Sequence, residues 1–290
     1  MNLTFATPGA VGYSARVGTE NNHPRVAWLV GGHPFDRPSL ERMLDATNAD
    51  IDLIEWPDAA GLFTVTGVTA LLDSYDVLAM YDMPGITFRR GDSPEFVAPP
   101  SELVDAWRRI TDEGLPVLAL HHSIASWPTW EGYSEILKGR FHYAPAVLRG
   151  EAWPDSGYAM NVSQRFTVEA LDHPVCAGLP TSFELTDETY QCPVFEDEVD
   201  VLVRTDAPRD ASFHSSAFAA VRRETNAAWS HVPASDAVAW THLAGRSRVV
   251  YLQPGEGPEA FDNPWYRMLI GNALAWLATT RPVRDSRVSS

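Results

Sequence analysis

RVAWLVGGH at 25–33 and LPVLALHH at 115–122 decide the fold. Each is a short unbroken apolar run that stops at glycine or at polar residues, which is how strands buried on both faces of a parallel sheet read. Leu40, Met43 and Leu44 follow the first run at helical spacing, giving a strand and then a helix. DIDLIEW at 50–56 and YDVLAMYD at 75–82 supply two more strands. Ser101 is placed to cap a helix that puts Leu103, Val104, Trp107 and Ile110 on one face and stops at Gly114. Strands alternating with helices predict right-handed crossovers and a doubly wound, mostly parallel α/β sheet.

Outward from this core the pattern changes. Between 140 and 235 the helical rhythm gives way to prolines and short β-like runs such as RFTVEA (165–170) and VDVLVRTD (199–206). This reads as a β-rich insertion walling one side of a cleft within a single domain over 25–280. AVAWTH (237–242) and SRVVYLQP (247–254) flank a Gly-containing turn and predict a hairpin. In the closing helix Asn263 is the expected cap and Pro264 the first residue, with Trp265, Met268, Leu269, Ala273, Trp276 and Leu277 facing inward. Residues 1–24 and 281–290 read as a loosely ordered start and a flexible tail.

Composition narrows the function classes. The 290 residues are 45% hydrophobic and 21% charged, an ordinary globular balance. No apolar stretch approaches the roughly 18 residues of a membrane span, and the first twenty residues lack the basic start and apolar core of a signal peptide. The expectation is a cytoplasmic protein with no membrane partner. A formal charge of -16 argues against nucleic acid, whose phosphates need clustered Lys and Arg, and favours a neutral or cationic small ligand. Cys176 and Cys192 form no CxxC pair, which suits a reducing compartment and argues against structural zinc, while a disulfide between them stays open.

Ligands of open α/β sheets bind beyond the carboxyl ends of the strands, so strand-end residues are the first candidates. They are His33 after Gly31-Gly32, Asp82, His121 and His122, Thr241 and His242, and Gln253, Gly255 and Glu256. Gly31-Gly32 belongs to no GxGxxG or GxxxxGK[ST] pattern and reads as a tight turn presenting His33; no nucleotide cofactor is expected. His121 and His122 are adjacent, so on an extended strand only one enters a given site, and His121 is the favoured one. Asp187, Glu188 and Tyr190 offer polar contacts, and Trp127, Trp130 and Tyr133 offer faces on which a sugar ring can stack or on which the core can pack. Ser123 in LHHSIA lacks the glycines of a nucleophile elbow, which places a serine hydrolase last.

These residues lie in ordered motifs: GGH at 31–33, HHSIASWPTWEGYSEILKGRF at 121–141, DHPVCAGLP at 172–180, TDETY at 186–190 and AWTHLAGRSRVVYLQPGEGPEAF at 239–261. Together they resemble the trehalose-utilisation ThuA-like family over about residues 25–278. The resemblance implies a flavodoxin-like fold of the class I glutamine amidotransferase-like type. It also implies a role with trehalose or related disaccharides through their 3-keto derivatives, beside an NAD-dependent sugar dehydrogenase. His121 stands where true amidotransferases carry the catalytic cysteine, so amidotransferase activity is not implied. Glu256 stands where the family usually carries a histidine.

The leading reading is an enzyme isomerising a 3-keto-glycoside, with His121 or Glu256 as base and His33 and His242 polarising the carbonyl. A divalent metal on His33, His121, His242 and Glu256 is the cofactor to consider, and Asp187, Glu188, Trp127 and Tyr190 would bind the sugar. The alternative is a non-catalytic carbohydrate-binding or accessory protein with a degenerate amidotransferase-like site.

Overall fold

The apolar runs form the centre of a sheet because each of their residues has a helix layer to face. A computed structural model describes residues 23–89, 91–225 and 229–280. The expected loose start and flexible tail fall outside these residues, apart from His23 and Pro24. Numbered along the chain, the strands of the main sheet are β1 (Arg25–Gly31), β2 (Asp50–Glu55), β3 (Val77–Asp82), β4 (Val117–Leu120), β5 (Gly157–Val168), β6 (Ser182–Gln191), β7 (Asp200–Thr205), β8 (Ser215–Ser216), β9 (Ala237–Ala244) and β10 (Ser247–Leu252). Their spatial order is β6-β5-β7-β9-β10-β4-β3-β1-β2, with β8 paired to β5.

The five strands β2-β1-β3-β4-β10 are mutually parallel. Their order is the flavodoxin-like 2-1-3-4-5 arrangement, in which the chain reverses direction across the sheet between the first and third strands. Alternate residues divide between two layers. Ala27, Leu29, Leu78, Met80, Val117 and Ala119 pack on α2 (Val65–Ser74), α3 (Ser101–Glu113) and α4 (Glu131–Leu137). Val26, Trp28, Val30, Ala79, Leu118 and Leu120 pack on α1 (Arg37–Asp45) and on two helices near the end of the chain, described next. This two-sided burial is the physical reason for the unbroken apolar runs.

Local signals set the helix ends. Asp36 accepts from Ser39 N at 2.7 Å and Thr64 from Gly67 N at 3.0 Å. Gly114 closes α3 at φ 75°, in the left-handed region that glycine adopts freely. Ser101 is not the cap that the sequence suggested: Pro100 holds that position without a side-chain bond, and Ser101 is the first helical residue. A short α5 (Ala217–Arg222) and α6 (Pro258–Phe261) precede the closing α7 (Pro264–Thr279). Asn263 caps α7 as expected, accepting from Trp265 N and Tyr266 N. Its buried face runs through Tyr266, Leu269, Ile270, Ala273, Leu274 and Leu277, so Trp265 and Met268, expected inside, are exposed.

The segment from 140 to 235 contributes β5, β6 and β7, which continue the parallel sheet as an antiparallel extension reached through the β9–β10 hairpin. Gly32 fixes the geometry beside the reversal point: at φ 79°, a Cβ there would lie 2.4 Å from the carbonyl oxygen of Met83. The glycine pair thus lets two backbone segments touch and turns His33 toward the sheet edge. Cys176 and Cys192 are both buried and free.

Candidate functional site

Three loops leave the carboxyl edge of the parallel strands together, after β1, β4 and β10, and bring His33, His121 with His122, and Glu256 to one place, where strand β6 adds Glu188. The turn after β4 brings His121 and His122. His121 has φ 51°, so the strand bends there into a 3-10 turn over His121–Ala125 instead of continuing extended. That bend brings both rings close to the site, but the one that borders the cavity is His122 and not the favoured His121. The His122 ring lies 5.1 Å from that of His121 and 4.5 Å from that of His33, centroid to centroid.

His121 is almost wholly buried and its partners fix its protonation. Nδ1 lies 2.9 Å from the carbonyl oxygen of Gln253 and Nε2 lies 3.0 Å from a Glu256 carboxylate oxygen. Both partners are acceptors, so both ring nitrogens carry a proton. Glu188 stands 3.6 Å from Nε2, and the Tyr190 hydroxyl is 3.0 Å from each ring nitrogen. Burial opposes the charge, but the Glu256 hydrogen bond and the Glu188 and Asp187 carboxylates overcome it and lift His121 to about 9. Burial raises Glu188 to about 7 against the pull of His121, with Glu256 and Asp187 adding repulsion. Glu256 is the group held low: burial raises it, and the bond to His121 outweighs that.

Asp187 does not face a ligand. One of its oxygens accepts from Gly255 N at 2.6 Å, and the other accepts from Glu188 N at 2.8 Å and Glu256 N at 3.2 Å. It is a brace that ties β6 to the loop after β10. Tyr81 donates to the Gly255 carbonyl at 2.6 Å and Tyr266 to the Pro254 carbonyl, so the loop carrying Glu256 is held from three sides.

His33 lies at the mouth of the site. Its Nδ1 donates to the Pro34 carbonyl at 2.7 Å, which leaves Nε2 with a free lone pair. Burial lowers its pKa, Glu256 opposes this and His121 adds to it, so the ring is neutral at neutral pH. His122 is held well below its ordinary value, first by burial and then by the His121 imidazolium, with protonation of His33 also opposing its own.

Several of these groups border one cavity of about 380 Å³, within the usual range of small-molecule sites, while His121 and Asp187 are not among its lining residues. His33, His122, Glu188 and Glu256 supply its polar side, and Phe88, Phe141, Tyr143, Tyr158, Met160 and Tyr190 its apolar wall. The sequence did not single out Phe88, Phe141, Tyr143 or Tyr158. The only available signal was the spacing of Phe141 and Tyr143, which puts both on one side of an extended segment.

Residues 37–277 match the family model described as "ThuA: Trehalose utilisation". The chain belongs to the ThuA family. Solved ThuA-like proteins share its fold. One from Parabacteroides merdae is 14% identical with a TM-score of 0.62, the match covering 91% of this chain and 93% of that one. Another from Bacteroides uniformis is 17% identical with a TM-score of 0.57, over 92% and 95%. A Salmonella typhimurium protein described as cytoplasmic is 13% identical with a TM-score of 0.52, over 87% and 98%. No curated protein sequence matches the chain. The fold is thus flavodoxin-like, as expected, and family membership supports a carbohydrate-related role.

Besides that of Asp187, the assignments of His242 and Trp127 change. His242 sits in the W-T-H segment, but β9 runs antiparallel to β10, so its C-terminal end lies at the amino edge of the parallel set. The register shows this: His242 faces Val249, which faces Val117 at the start of β4. His242 Nε2 donates to the Ile136 carbonyl at 2.8 Å, and the residue does not border the cavity. It is therefore neither carbonyl polariser nor metal ligand in this geometry. Trp127 packs edge-on against Trp56 at 5.8 Å and beneath Gly85, and Tyr133 is buried in the same core, so neither ring offers a face to a sugar. Ser123 is fully buried with its Oγ unpartnered among the described residues, and no histidine activates it.

His242 carries a stability prediction. Burial is the main cause that lowers its pKa from 6.5 to about 4. The unfolded chain therefore binds a proton below 6.5 that the folded chain refuses until about 4. The contribution is complete above 6.5 and is lost as pH falls toward 4. His242→Gln keeps a donor for Ile136 and removes the titration. Between pH 7.5 and 4.5 the native protein should lose roughly 2 kcal/mol more unfolding free energy than the variant. Parallel denaturant-unfolding profiles would contradict this.

Proposed function

We propose that this ThuA protein is a cytoplasmic enzyme of carbohydrate breakdown that isomerises a 3-keto-glycoside derived from trehalose or a related disaccharide. One observation carries the reading: His33 Nε2, with its free lone pair, borders the same aromatic cavity as the carboxylates that surround the His121 imidazolium. Such a site joins a base to a hydrogen-bond donor for the oxyanion, the His122 ring on the same cavity, the pair that proton abstraction beside a carbonyl requires.

In the proposed reaction the proton on the carbon beside the carbonyl passes to His33 Nε2. The C–H electron pair forms the new C=C bond and the carbonyl π pair moves onto oxygen, giving an enediolate. Return of the proton to the former carbonyl carbon, with the hydroxyl proton passing between the two oxygens, moves the keto group one carbon along. Neutral His122 donates to the developing oxyanion, as an uncharged imidazole can. Glu188 and Glu256 accept from sugar hydroxyls, and Tyr143 and Tyr158 provide ring faces for the second sugar. An NAD-dependent sugar dehydrogenase would supply the keto-sugar.

Incubation of the protein with a 3-keto-disaccharide, followed by carbon NMR, tests the reading. The carbonyl signal should be replaced by one on the adjacent carbon. An unchanged spectrum with several keto-disaccharides would overturn isomerisation, and saturable binding without turnover would favour a carbohydrate-binding protein.

A further inference from the structure

We propose that the same cavity wall binds one divalent transition-metal ion between His121 Nε2, Glu188 and Glu256. The inference does not depend on the reaction above, because ion binding is measured without substrate.

The donor set and its spacing carry it. One ligand atom from each of the three residues lies within 4.8 Å of the other two. Nε2 is 3.0 Å from Glu256 and 3.6 Å from Glu188. Donors held about 2.0–2.2 Å from a tetrahedral ion lie roughly 3.4 Å apart, so little movement is needed to seat one. Imidazole with two carboxylates suits zinc, cobalt or manganese better than calcium, which prefers six or more oxygens. The proton on Nε2 is the alternative occupant of this position.

The surroundings are those of a ligand set rather than of a surface acid pair. His121 Nδ1 donates to the Gln253 carbonyl, the support that directs the other nitrogen of a metal-bound histidine at its ion. Asp187 holds the backbones of both glutamates.

An independent observation comes from His122. Its ring is 3% exposed, borders the same cavity, and neither nitrogen makes a well-formed hydrogen bond; the Tyr81 backbone approaches only weakly. A water or hydroxide on the ion would give that orphaned ring a partner. Three protein donors leave a coordination position open toward the cavity, the arrangement of catalytic rather than structural sites. An ion there would also present positive charge at the cavity wall, which His121 at 1% exposure does not present itself.

The test uses the full chain, stripped with chelator and titrated with Zn2+ in a calorimeter and with Co2+ by visible absorption. One ion per chain and the d–d bands of four- or five-coordinate Co2+ are expected. Glu188→Gln and Glu256→Gln should each weaken Zn2+ at least tenfold, while Glu184→Gln, in an exposed ion pair, should not change it. Absence of 1:1 binding, or affinity unchanged in both cavity variants, would overturn the proposal. X-ray absorption of the zinc-loaded native protein remains decisive if a variant fails to fold: one imidazole with oxygen donors is expected, and sulfur or several imidazoles would refute the site.

Discussion

Asp187→Asn should lower turnover of a keto-disaccharide by about 100-fold or more while leaving a folded, less stable protein. The carboxylate accepts three backbone N–H groups, from Glu188, Gly255 and Glu256. An asparagine of the same shape keeps one oxygen and turns an amide toward an N–H donor, leaving a buried donor unsatisfied at a cost of roughly 1–3 kcal/mol. Thermal unfolding should fall by about 5 °C for a chain of this size. The loss of activity should be larger than the loss of stability explains, because the brace sets where Glu256 stands against His121. A misplacement of about 1 Å in a catalytic group can cost some 100-fold. Asp187→Ala loses all three acceptors and should destabilise more. A variant with activity within twofold of the native protein would show that the brace is structural only.

What the sequence made legible follows from what each strand faces. β1, β3 and β4 are covered on both sides, so burial wrote continuous apolar runs that are read without ambiguity. β5 has a mixed pattern of exposed and buried residues and shows no such run, which is why the insertion could be recognised as β-rich but not placed in the main sheet. His33, His121 and Glu256 were candidates by strand-end position and Glu188 and Tyr190 by the TDETY segment, and the structure brings these five residues together. His242 was misplaced because local sequence does not give strand direction: a histidine ending an antiparallel strand lies at the opposite edge of the sheet. Asp187 was read as a ligand contact because a carboxylate satisfied by backbone N–H groups has the same sequence signature as a free one. That His122 rather than His121 borders the cavity goes with a backbone angle at His121 that neighbouring residues do not announce. The cavity's apolar wall comes from loops at Phe88 and 141–143 and from β5 and β6, whose convergence is purely tertiary.

His33→Asn has the other large expected effect. Asparagine retains a donor for the Pro34 carbonyl and deletes the basic Nε2, so turnover should fall by about 10²–10⁴-fold, the usual contribution of a positioned base. His33 is only half-buried and leaves no core cavity, so its thermal unfolding should match that of the native protein. The central claim is that His33 takes a proton from the carbon beside a substrate carbonyl in this cavity. Proton NMR of a 3-keto-disaccharide in heavy water measures it directly. The native protein should exchange that carbon-bound hydrogen for deuterium and His33→Asn should not, whereas equal exchange by both, or none by the native protein, would contradict the account.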